Sequence, residues 1–140
     1  MPSVNLSWNR GLRFVAQTES GHALVTDTDP DVGGFASAAS PVELLLSGIA
    51  GCTAMDVLSI LKKKRIQVED FEIETEAESE SETPKHLKTI HLVYKVWGPN
   101  VTDDAVERAI ELSHEKYCTV SNTVNGVAEI TWEHRINPDN

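Results

Sequence analysis

The stretch Ser40-Pro41-Val42-Glu43-Leu44-Leu45-Leu46-Ser47-Gly48-Ile49-Ala50-Gly51-Cys52-Thr53 decides how this chain folds. Ser40 is a helix-capping residue, and Pro41 suits the first helical position, where its missing N–H costs nothing. Glu43 puts a negative charge in the first turn, where the helix dipole favours it. The pattern predicts a helix from here to about Lys64. Its apolar run, Leu44 to Leu61, is long enough to raise the question of a membrane span. Asp56 lies inside that run, as do Ser47, Gly48, Gly51, Thr53 and Ser59, so we read a buried core helix. Most of its faces are apolar, which predicts burial nearly all round. A domain of this size can hardly surround such a helix alone, so a second copy of the chain is expected.

On the N-terminal side, Val4–Trp8 alternates as a strand. Arg13–Glu19 and His22–Asp27 follow as two strands joined across Ser20-Gly21, a hairpin signal. Thr28–Ser40 is rich in Asp, Gly, Pro, Ala and Ser and reads as a long loop with no pattern of its own, of a kind often functional or mobile.

On the C-terminal side, Phe71, Ile73, Thr75 and Ala77 alternate with Asp70, Glu72, Glu74, Glu76 and Glu78. This is a strand with one acidic, solvated face. Ile90, Leu92, Tyr94 and Val96 alternate in the same way, so the two runs form a hairpin whose lysines can face the glutamate row. Thr102-Asp103-Asp104 starts a second helix that ends near Tyr117, with Val106, Ala109, Ile110 and Ser113 or Tyr117 inward. Asn125-Gly126 is a turn, and Val127–His134 is the last strand. The order βββ-α-ββ-α-β defines an α+β fold, read as one domain over residues 1–140.

The net charge is −10. Nucleic acid needs a clustered basic face, so it is not an expected partner. The one basic run, Lys62-Lys63-Lys64-Arg65, is read as a solvated helix C-terminus. Met1–Asn9 shows no secretory pattern. With only two cysteines, that predicts a reducing, cytoplasmic setting and no membrane partner.

Those two cysteines, Cys52 and Cys118, are the candidate chemistry. They stand 66 positions apart, a spacing that fits neither a CxxC redox motif nor a zinc ribbon. A buried cysteine also packs as a small hydrophobe. A metal alternative places His114 and Cys118, four apart, on one helix face, with Cys52 and Asp56 completing the ligands. His22, His86, His91 and His134 occupy strands or their edges and have no visible triad partner.

Pro41-Val42-Glu43-Leu44-Leu45 followed by Gly51-Cys52, then Cys118-Thr119-Val120-Ser121-Asn122-Thr123, resembles the OsmC/Ohr family of osmotically inducible and organic hydroperoxide resistance proteins. The likeness covers nearly the whole chain. It implies an intertwined homodimer with a central Cys-bearing helix. It also implies a thiol peroxidase acting on small organic hydroperoxides in oxidative stress defence. Cys52 then resembles the peroxidatic residue and Cys118 the resolving one, with an external dithiol reductant and no bound cofactor or metal. Peroxidase members use an arginine from the N-terminal strands, held by a glutamate before the cysteine helix. Arg10 and Arg13 match the first, and Glu43 the second. In the peroxidase motif the glutamate follows the proline directly; that position is Val42 here. The alternative is an OsmC-like redox-sensing or ligand-binding protein without efficient turnover.

Overall fold

The computed structural model describes residues 1–139. The chain divides into two compact units, Met1–Ser47 and Gly48–Asn140.

In the first unit, β1 (Val4–Trp8), β2 (Phe14–Thr18) and β3 (Ala23–Thr26) form an antiparallel sheet in the order β1-β2-β3. Gly21 turns the β2–β3 hairpin at φ +88°, in the left-handed region that glycine enters without strain. The following loop, expected to be without pattern, is organised around one buried carboxylate, that of Asp27. Its oxygens accept the Ser37 hydroxyl at 2.6 Å and the backbone N–H groups of Thr28, Phe35 and Ser37 at 2.8–3.3 Å. These bonds hold the Asp27 carboxyl down at about 2, with the Ser37 hydroxyl the largest cause. Gly34 seals the loop, since a Cβ there would lie 2.1 Å from the Thr28 carbonyl oxygen.

Helix α1 (Pro41–Lys63) begins in the first unit and ends in the second. Its length and composition would allow it to cross a membrane. In this chain it behaves as a core helix along one stripe, where Ile49, Thr53, Val57 and Leu61, each four residues apart, are buried. Burial nearly all round is not what the single chain shows. Val42, Leu45, Met55 and Leu58 stand exposed, because 140 residues supply cover for only one face.

In the second unit, β4 (Asp70–Ser79), β5 (Leu87–Trp97) and β6 (Glu129–Ile136) form a sheet in the order β4-β5-β6. The β4–β5 hairpin has the predicted faces. Ile90, Leu92, Tyr94 and Val96 are buried, while Lys95 and Lys88 reach Glu74 and Glu78 on the other side. Strand β6 departs from the hairpin pattern, because it pairs parallel to β5, from Thr89↔Glu129 to Val96↔Ile136. The connection that makes this possible runs through α2 (Asp103–Leu112), a π-helical turn (Ser113–Tyr117) and a short helix, α3 (Thr119–Val124). Thr102 caps α2 as expected, its hydroxyl accepting the Ala105 N–H.

Candidate functional site

The second unit brings the two cysteines together. Cys52 sits half-buried in the middle of α1, one position before the buried Thr53. Asp56 lies one turn further on, on the same helix face as Cys52. Cys118 ends the π-helical turn, its N–H donating to the Ser113 carbonyl at 2.7 Å. It also caps α3, which the sequence reading missed. Thr119, Val120, Thr123 and Val124 are β-branched and poor helix formers. The Cys118 Sγ accepts the Ser121 N–H at 3.3 Å and so takes the place of a capping oxygen.

Both sulfurs are free thiols. The Sγ atoms of Cys52 and Cys118 and a carboxylate oxygen of Asp56 all lie within 4.8 Å of one another. Burial pushes the Cys118 thiol up, the Cys52 thiol adds to that, and the hydrogen bond from the Ser121 N–H opposes it. The buried Ser121 hydroxyl has no hydrogen-bond partner among the described residues.

A chain of polar side chains runs away from the thiols beneath Asp56. Ser113 Oγ lies 2.9 Å from Asp56 Oδ2 and 2.8 Å from Thr53 Oγ1. Thr53 Oγ1 lies 2.8 Å from Tyr94 Oη, which in turn lies 2.8 Å from His114 Nε2. A hydroxyl has one proton to give, and a carboxylate can only accept. Ser113 has one proton for two acceptors, Asp56 Oδ2 and Thr53 Oγ1, and in the Thr53–Tyr94 and Tyr94–His114 contacts either partner can be the donor. Linked hydrogen bonds of this kind polarise one another. Burial raises the Tyr94 phenol, so it stays protonated as this chain requires. Burial lowers the His114 imidazole, with Asp56 opposing. The sequence offers a signal for this network. Thr53 and Ser113 are polar residues on inward stripes, and an inward tyrosine needs a partner for its hydroxyl. Tyr117, the other inward candidate of the second helix, is exposed.

Two clefts reach this region. One of about 500 Å³ is lined by Asp56, Ser59, Ile60, Lys63, Leu112 and Tyr117 among others. A smaller one of about 100 Å³ is lined by His114, Ser121, Asn122, Asn125, Ile130 and Trp132.

Of the other predicted site residues, Arg10, Arg13 and Glu43 lie in the first unit. Arg10 takes φ +71° and stacks its guanidinium 5.0 Å from the Trp8 ring centroid. Arg13 braces the Asp27 loop. Its Nε donates to Asn9 Oδ1 at 2.8 Å, its Nη1 donates to Ser37 Oγ at 3.2 Å, and it lies over the Phe35 ring. Glu43 completes a capping box. Its Oε1 accepts the Ser40 N–H at 2.9 Å while the Ser40 hydroxyl accepts the Glu43 N–H at 3.2 Å. That bond to the Ser40 backbone is the main cause holding the Glu43 carboxyl below its usual range. The one-residue displacement from the proline thus has a local reason, since the box needs its carboxylate three positions after Ser40. Of the four ligands of the metal alternative, Cys52, Asp56 and Cys118 converge, while His114 stands outside that group with its Nε2 2.8 Å from Tyr94 Oη.

Comparison with known proteins agrees with this architecture. A family model described as OsmC-like protein matches residues 34–133, a span that includes α1 and both cysteines. Protein YhfA of Escherichia coli (strain K12) is 36% identical over 133 residues, which cover 95% of this chain and 96% of that protein. The crystal structure of a hypothetical protein from Aquifex aeolicus VF5 aligns over 99% of this chain and 98% of its own, with a TM-score of 0.82 and 31% identity. The organic hydroperoxide resistance protein OhrB of Bacillus subtilis shares the fold, with a TM-score of 0.69 over 96% of this chain and 98% of its own, at 17% identity. With a family model spanning residues 34–133 and a relative 36% identical over nearly the whole length, this chain belongs to the OsmC-like protein family.

Proposed function

We propose that the chain is a thiol-dependent peroxidase that reduces small organic hydroperoxides. The observation that carries this reading is the approach of Cys52 and Cys118, whose sulfurs lie within 4.8 Å of one another although 66 positions separate them in sequence. In the first step the Cys52 thiolate attacks the peroxide. The O–O bond breaks, a sulfenic acid forms on Cys52, and an alcohol leaves with a proton. In the second step Cys118 attacks the Cys52 sulfur, the S–S bond forms, and the sulfenic oxygen leaves as water. Two thiols and one hydroperoxide thus become one disulfide, one alcohol and one water. An external dithiol restores the pair by exchange. For the bond to form, the sulfurs close from within 4.8 Å to about 2 Å.

The first step needs Cys52 as a thiolate, and a carboxylate oxygen of Asp56 lies within 4.8 Å of its sulfur. The peroxidase reading therefore requires a cation at Cys52, for which Arg10 and Arg13 are the candidates. The same carboxylate favours a second reading, a redox-sensing or small-ligand-binding protein whose thiols oxidise slowly and reversibly. Rapid mixing of reduced protein with cumene hydroperoxide separates them. The peroxidase loses two thiols per chain within seconds, and the sensor loses none over that time.

A homodimer goes with this reading. Val4, Leu6 and Trp8 on β1 and Val42, Leu45, Met55 and Leu58 on α1 are exposed large hydrophobics in the single chain, more than a soluble monomer ordinarily leaves uncovered. A solution mass of one chain would contradict it. Working thiols also require a reducing compartment, which is the basis for a cytoplasmic location.

A further inference from the structure

The geometry points to a second use of the same corner of the molecule: Cys52, Asp56 and Cys118 bind a divalent zinc ion when both thiols are reduced. Three ligand atoms of the right chemistry, two sulfurs and one carboxylate oxygen, already converge to within 4.8 Å of one another. Around zinc, with bonds of about 2.3 Å to sulfur and about 2.0 Å to oxygen, such atoms stand about 3–4 Å apart. Small side-chain rotations close the difference.

The surroundings support ligands more than bare thiols. Ser113 donates to Asp56 Oδ2 at 2.9 Å, which holds the carboxylate in place. The Ser121 N–H donates to the Cys118 sulfur at 3.3 Å. Hydrogen bonds of this kind orient metal ligands and are a regular part of metal sites. Behind Ser113, the Thr53 and Tyr94 hydroxyls continue the polar network. Asp56 also lines the cleft of about 500 Å³. Three protein ligands leave one coordination position for water or a small ligand, as in zinc sites that are not purely structural.

The peroxidase reading gives Asp56 only an unfavourable role. Zinc gives it a favourable one, because a divalent cation is what places a carboxylate beside two thiolates at low cost. Metal binding and the disulfide use the same two sulfurs, so each excludes the other. The inference needs these side chains and does not depend on peroxide turnover.

The test is a titration of the reduced, full-length, metal-free protein with cobalt(II) under nitrogen. Expected is one cobalt per chain, with thiolate-to-cobalt charge-transfer absorption in the near ultraviolet that stoichiometric zinc removes. The disulfide form should show none, nor should Cys52→Ser and Cys118→Ser together. Ser113→Ala, which leaves all three ligands, should keep the absorption and weaken binding about 10–100-fold. Asp56→Asn should weaken it at least as much. Circular dichroism checks that each variant is folded. The inference is overturned if reduced wild type with two countable thiols gives no charge-transfer band, or if Asp56→Asn binds cobalt as wild type does. Thiol loss to cumene hydroperoxide, measured without metal, is a separate readout, so failure of either reading is visible by itself.

Discussion

The hydroxyl of Thr53, on the helix that carries Cys52, lies 2.8 Å from the phenol of Tyr94, on the middle strand of the second unit's sheet. Both residues are fully buried. The contact ties α1 to the sheet and starts the polar chain that ends on Asp56. Tyr94→Phe keeps the ring and deletes the hydroxyl, leaving His114 Nε2 without its partner and Thr53 with Ser113 alone. A buried group that loses its partner costs about 1–3 kcal/mol. Urea unfolding should show a lower midpoint by that amount at unchanged slope, and an unchanged midpoint would remove the network from the account.

Asp56 and Cys52 share a helix face, with a carboxylate oxygen within 4.8 Å of the sulfur. Two like unit charges that close repel by roughly 1 kcal/mol even in a water-like medium. Asp56→Asn should therefore raise the rate of Cys52 alkylation by iodoacetamide severalfold at neutral pH, measured in a Cys118→Ser background. A slower rate would show that the carboxylate helps the thiol instead.

Acid should loosen the first unit through Asp27. Its carboxyl ionises at about 2 in the fold against an ordinary 3.8. A depressed value stabilises the fold fully above 3.8 and loses that contribution as pH falls towards 2. Thermal melting of the wild type should drop across this window. Asp27→Asn should melt lower above pH 4 and show a flatter profile below it. Parallel curves for the two proteins would contradict the assignment.

Much of this was legible in the sequence where one residue type has one good place to go. The glutamate alternation from Asp70 to Glu78 can only be a strand with a wet face, and Ser40-Pro41 can only open a helix. The strand β6 was legible as a strand, but its parallel partner was not, because pairing is set by the path of the intervening helices. The helix α3 was hidden because a buried thiol caps a run of β-branched residues, and packing there overrides propensity. At the site, both cysteines were visible as candidates. Ser113 and Thr53 were visible only as polar residues on inward stripes, because a small hydroxyl there reads the same whether it fills space or carries a hydrogen bond. Glu43 was visible, and its bond to Ser40 gives it a local task that a motif comparison does not reveal.

The resolving role of Cys118 can be isolated. In Cys118→Ser the Cys52 sulfenic acid has no intramolecular partner, so hydroperoxide followed by dimedone should give a stable adduct on Cys52, read by intact mass. Wild type should give little adduct and a disulfide in its place. Equal adduct in both would remove Cys118 from the reaction.

The central claim is that Cys52 and Cys118 act as one redox pair. Counting free thiols after rapid mixing of reduced protein with excess cumene hydroperoxide tests it most directly. The account predicts fast loss of two thiols per chain in wild type and of one in Cys118→Ser. Retention of both thiols in wild type over minutes would contradict it.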